Sequence, residues 1–170
     1  MARTCIDAGL VPALALVSTL PLAGCGPKIP QPSKAGPDMP RISWVIMSGD
    51  RDNPDQDYVC QSDPRDACAV HASRADEQVF GHVHVYYHPS AVETKYSGSV
   101  VIGFFQGEPA SKTLSANVSL KPGDKVGNQT VVGIVTQQPG TYPVQFAVTA
   151  TPSGQGQPQT IRDEVNVSVQ

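Results

Sequence analysis

Charge, aromatic side chains and late histidines are all scarce in this chain. Asp, Glu, Lys and Arg make up 16% of the 170 residues, aromatics 6%, and Trp occurs once. Twelve Lys and Arg against fifteen Asp and Glu leave a net charge of −3, so the dense basic surface that phosphate recognition needs is missing and no nucleic acid is expected as a partner. No His or Cys follows residue 88, which leaves the second half without the usual acid–base or nucleophilic side chains. Gly-x-Ser-x-Gly, Ser-x-x-Lys, His-Glu-x-x-His and phosphate-cradling glycine loops are also lacking, so no enzyme and no cofactor are expected. A helical bundle is excluded in turn, because fifteen Gly and sixteen Pro favour short strands joined by turns.

The chain does have a distinctive beginning. Arg3 precedes a mostly apolar run, Ala8 to Leu22, broken by Pro12 and Pro21 and too short for a comfortable membrane span. This reads as an export signal, with an ordinary secretory cleavage site as the alternative. Its end, Leu22-Ala23-Gly24-Cys25, resembles the lipobox of bacterial lipoproteins. The resemblance implies a signal peptide over 1–24, cleavage before Cys25 and acylation of its sulfur. Two or three acyl chains at about 0.8 kcal/mol per buried methylene would then hold the protein on a bilayer. Gly26, rather than an aspartate, follows the cysteine, which in that family implies the outer membrane. Residues 25–40 are expected to be a lipidated tether: with Pro27, Pro30, Pro32, Pro37 and Pro40 they favour extended backbone, up to roughly 45 Å of it.

From residue 41 to 170, apolar and polar residues alternate in seven short runs, near 41–47, 79–88, 97–106, 112–120, 129–137, 141–150 and 159–169. Ile42, Trp44 and Ile46 share one side of the first; Leu114, Ala116, Val118 and Leu120 of the fourth; Tyr142, Val144, Phe146 and Val148 of the sixth; Val165, Val167 and Val169 of the last. Seven antiparallel strands, each with one apolar side, are satisfied by two packed sheets. The segment Pro139-Gly140-Thr141-Tyr142-Pro143-Val144 resembles the opening of strand F in immunoglobulin-like domains, where a tyrosine hydroxyl is tied back to the backbone. That resemblance implies a seven-stranded immunoglobulin-like β-sandwich, here without the antibody Cys…Trp…Cys pattern.

A long insertion, 48–78, separates the first two runs. Cys60 and Cys68 form an even pair in a chain expected in an oxidising compartment, and a disulfide between them would staple a loop with no core of its own. Two metal sites are weighed against solvated surface. His82, His84 and His88 share strand parity, with His71 nearby, and His-x-His on a strand suits zinc or copper; otherwise His82, His84 and Tyr86 are the wet side of a strand whose Val83, Val85 and Tyr87 point inward. Asp50, Asp52, Asp55 and Asp57 offer oxygen ligands that suit calcium, although Pro54 and the absence of a suitably placed Gly and Glu rule out an EF-hand. The reading from sequence is a lipid-anchored envelope protein with a non-enzymatic binding or structural domain facing an envelope protein or polysaccharide. The metal-binding protein is the rival.

Overall fold

The computed structural model describes residues 38–52, 57–63, 67–74, 77–107, 110–154 and 156–170. The leader, Cys25, most of the tether and Asp55 lie outside these residues. Every regular element described is a strand: β1 (Arg41–Gly49), β2 (Asp57–Gln61), β3 (Cys68–Val70), β4 (Ser73–Arg74), β5 (Glu77–Gln78), β6 (Phe80–His88), β7 (Thr94–Ile102), β8 (Ala110–Leu120), β9 (Gly127–Ile134), β10 (Gly140–Pro152) and β11 (Gln159–Val169). Among the described residues there is no helix long and apolar enough to cross a membrane.

Two sheets carry the domain, one in the order β2-β1-β6-β9 and the other β3-β11-β10-β7-β8, with β4 and β5 forming a separate small hairpin. Their inner faces follow from the alternation. Ile42, Trp44 and Ile46 of β1 and Val83, Val85 and Tyr87 of β6 join Val144, Phe146, Val148, Val165, Val167 and Val169 in one core. Aromatic rings bridge the gap between the sheets: Trp44 stacks on Phe146 and Tyr87 leans on Tyr96, both at 5.2 Å between ring centres. The side chains of Leu114 and Ala116 lie outside the described residues, whereas Leu120 is buried as expected.

Polar atoms drawn into this core find partners, as desolvation requires. The Trp44 indole N–H donates to Asp163 Oδ2 at 2.9 Å, Tyr87 Oη donates to Gln129 Oε1 at 2.7 Å, and Tyr96 Oη donates to the His88 carbonyl at 2.6 Å. Burial pushes both the Tyr87 and Tyr96 hydroxyls upward, so they stay protonated and keep donating. Gly81 and Gly133 face each other across β6 and β9, and a methyl on Gly81 would come within 2.8 Å of the Phe105 ring. The pair leaves a slot that Phe105 fills. At Lys121-Pro122-Gly123-Asp124 the φ of Gly123 is +86°, the left-handed value that the third residue of a type II turn needs, and Asp124 N donates to the Lys121 carbonyl.

Three expectations change. The count rises from seven strands to nine in the two sheets, because the insertion is not a coreless loop: β2 extends one sheet, β3 extends the other, and Val59, Cys60, Cys68 and Val70 enter the core. The pairing is not uniformly antiparallel, since β3 runs parallel to β11 with Cys68 opposite Val167. Finally, the side of β6 carrying His82, His84 and Tyr86 is not wet: His82 is 2% and Tyr86 5% exposed, with His84 intermediate.

Candidate functional site

The insertion builds a cleft of about 290 Å³ at one margin of the sandwich. Asp50 follows β1, Asp57 and Tyr58 open β2, His71 follows β3, and Gln78 ends β5, so strands of both sheets and the hairpin contribute walls. Cys60 and Cys68 fix the spacing. The expected disulfide is present, with its Cα atoms 5.2 Å apart, and it links the edge strand of one sheet to the edge strand of the other. Without this link, β2 and β3 would be short edge strands held by one ladder each.

The cleft is open and polar. His71 and Asp50 are exposed, Asp57 is half-buried and Tyr58 is 49% exposed, so two carboxylates, a phenol, an imidazole and an amide line one opening. Such a set suits a small polar ligand or a side chain bearing N–H donors, because carboxylates accept charge-assisted hydrogen bonds. Asp50, Asp57 and His71 were expected as parts of separate metal sites, and the fold brings them to one place. Asp52 is exposed and is not among the residues that line the cleft.

His82, His84 and His88 stand on the outer side of the β2-β1-β6-β9 sheet and do not line this opening, although His82 reaches the backbone of Asp50 at its rim. The His82 and His84 rings stack at 6.4 Å, as do those of His84 and Tyr86. Each ring has a protein partner on one of its nitrogens. His82 Nε2 lies 3.1 Å from the Asp50 carbonyl, which can only accept, so this nitrogen carries the proton. His84 Nδ1 shares a 2.9 Å hydrogen bond with Thr130 Oγ1, and His88 Nε2 shares one of 2.7 Å with Ser43 Oγ. Burial, reinforced by the Arg41 charge, lowers the His88 pKa from 6.5 to about 4, so its ring is neutral at pH 7. Among the described residues no three His, Cys, Asp or Glu side chains converge to hold a metal ion.

Sequence reasoning missed the contribution of Tyr58 and Gln78 to the cleft. The signal available was the length of the insertion, which marks a region worth inspecting but does not say which side chains converge. Comparison with protein families, with curated proteins and with solved structures yields no match to this chain.

Proposed function

We propose that the chain is a lipid-anchored cell-envelope protein whose β-domain is a non-enzymatic binding or structural module. The observation that carries the anchor is in the sequence: Leu22-Ala23-Gly24-Cys25 directly behind an apolar run and ahead of a stretch containing five prolines. On this reading the leader is removed, acyl chains on Cys25 enter the bilayer, the outer membrane where the cell has one, and the domain faces an envelope protein or polysaccharide.

An immunoglobulin-like arrangement is the finer reading of the fold. With the edge strands β2 and β3 set aside, seven strands remain in the orders β1-β6-β9 and β11-β10-β7-β8. In the family's lettering, β1, β6 and β9 take the places of A, B and E, and β7, β10 and β11 those of C, F and G. The remaining strand, β8, lies beside β7, whereas the antibody constant arrangement puts its fourth strand beside E. Tyr142, near the start of β10, donates its hydroxyl to the Gln138 carbonyl at 2.9 Å, which supports the same reading.

The binding role is supported by the cleft, because the insertion, besides adding Val59, Cys60, Cys68 and Val70 to the core, sets a polar opening at the margin of the sandwich. Metal binding by His82, His84, His88 and His71 has no convergent ligand set behind it among the described residues.

Labelling with radioactive palmitate and phase separation in detergent test the anchor. The wild-type chain should carry label and enter the detergent phase, and Cys25→Ser should lose both; an unlabelled, water-soluble wild-type chain overturns the reading. Capture from solubilised envelopes tests the cleft. A partner retained by the intact protein and lost by Asp57→Ala/His71→Ala places recognition there, and equal capture by both removes it.

A further inference from the structure

The two sheets end in four edge strands, and three of these carry features that discourage pairing with another chain. β2 has five residues, opens on Asp57 and is tied through Cys60 to β3, which has three. β8 carries Lys112, and its register against β7 shifts between Tyr96 and Gly98. Short length, charge and irregular pairing are the devices that guard sheet edges. β9 has none of them. It runs for eight residues, pairs with β6 without a register shift, and no charged residue or proline occurs from Val126 to Gln138. Thr130, Val131, Val132 and Ile134 are β-branched, as suits a strand that receives another.

Backbone directions locate the open groups. Successive residues of a strand turn their N–H and C=O to opposite flanks. The Ile134 carbonyl accepts from Gln106 N and Thr136 N donates to the Phe104 carbonyl, on the flank away from β6, whereas Val135 N donates to the Val79 carbonyl on the β6 side. By the same alternation Asn128, Thr130 and Val132 aim their N–H and C=O away from β6. All three are exposed, Val132 at 42%, and among the described residues no strand pairs on that flank.

We propose that this flank of β9 pairs antiparallel with the same flank of a second copy, about a two-fold axis at Thr130. The inference stands whether or not Cys25 is acylated.

A two-fold axis sets the residues near it against their own copies, so a charged edge repels itself. β9 is the long edge that meets its copy without that penalty. Centred on Thr130, the pairing sets Thr130 opposite Thr130 and Asn128 opposite Val132, and each of these pairs exchanges both backbone hydrogen bonds. The Thr130 hydroxyl, which shares a 2.9 Å hydrogen bond with His84 Nδ1, stands beside the same group of the second copy. Facing threonines make a favourable cross-strand pair. The two sheets then run on as β2-β1-β6-β9-β9-β6-β1-β2. Growth stops there, because the strand at each end is the short, sulfur-tied β2, and the cleft beside it stays open.

Disulfide trapping in the full chain carrying Cys5→Ser and Cys25→Ser tests the register. Paired residues that exchange hydrogen bonds lie about 5.5 Å apart at Cα, within reach of a disulfide. Thr130→Cys should yield a crosslinked dimer on mild oxidation, and Gln145→Cys, exposed outside the other sheet, should not. Equal trapping at both positions, or none at Thr130, overturns the proposal. Co-purification of a tagged with an untagged copy from detergent gives a second readout. Thr130→Lys should retain its own copy about fivefold less than wild type does, the size of one unfavourable cross-strand pair. Thr130→Lys mixed with Thr130→Glu should recover retention, which separates charge from misfolding. Retention that Thr130→Lys leaves unchanged overturns pairing at β9. A wild-type chain that does not retain its copy leaves this edge to a foreign strand and overturns the proposal as well.

Discussion

The Tyr142 hydroxyl closes a corner by reaching the carbonyl of Gln138, four residues upstream, at 2.9 Å. Tyr142→Phe keeps the ring and removes that bond, so urea unfolding should show a loss of about 0.5–1.5 kcal/mol. The corner was readable from sequence because donor, acceptor and the Pro139-Gly140 turn all lie within a few residues. His88 was not. Its environment depends on Ser43, 45 residues away, and on Arg41, paired with it across β1 and β6. With the folded pKa lowered from 6.5 to about 4, the unfolded chain takes up a proton in that interval that the folded chain refuses. Stability should be complete above pH 6.5 and fall as the pH drops towards 4. Urea midpoints at pH 7 and pH 5 check this, and His88→Gln should show a smaller drop than the wild-type chain.

All seven alternating runs became strands, with ends displaced by a few residues: 97–106 became Thr94–Ile102, and 129–137 became Gly127–Ile134. The seventh, 159–169, kept both ends. Period-two patterning found these strands because each buries one side against a partner sheet. The strands β2 and β3 escaped it, being 5 and 3 residues long with Asp-rich sequence around them. Their burial comes from β1 and β11, elements that local patterning cannot see. Gly98 carries another constraint set by neighbouring strands. It lies where the register of β7 against β8 shifts, and a methyl there would strike the Ala147 carbonyl and come within 2.8 Å of Val148 Cα. Gly98→Ala should lower stability by about 3 kcal/mol in urea titration, since backbone atoms of β10 would have to move.

At the scale of the molecule, composition pointed to all-β architecture and cysteine parity to the bridge, but neither revealed that the bridge joins the two sheets. The acidic residues and His71 were legible individually; their convergence in one cleft depends on that topology. Replacing both Cys60 and Cys68 by Ala should cost roughly 2–3 kcal/mol through the freed unfolded chain, measured as a lower urea midpoint. Reductant should reproduce the shift in the wild-type protein and leave the variant unchanged.

That bridge also has a mechanical consequence. A load pulling on the N-terminal side enters the domain at β1, which is zipped to β6 on one flank and β2 on the other. Through sulfur, β2 is coupled to β3 and from there to β11, so the strain is shared by both layers. Under oxidising conditions the sandwich should therefore resist tugging as one body; with the thiols reduced, β1 and β2 could peel away from the β11 side.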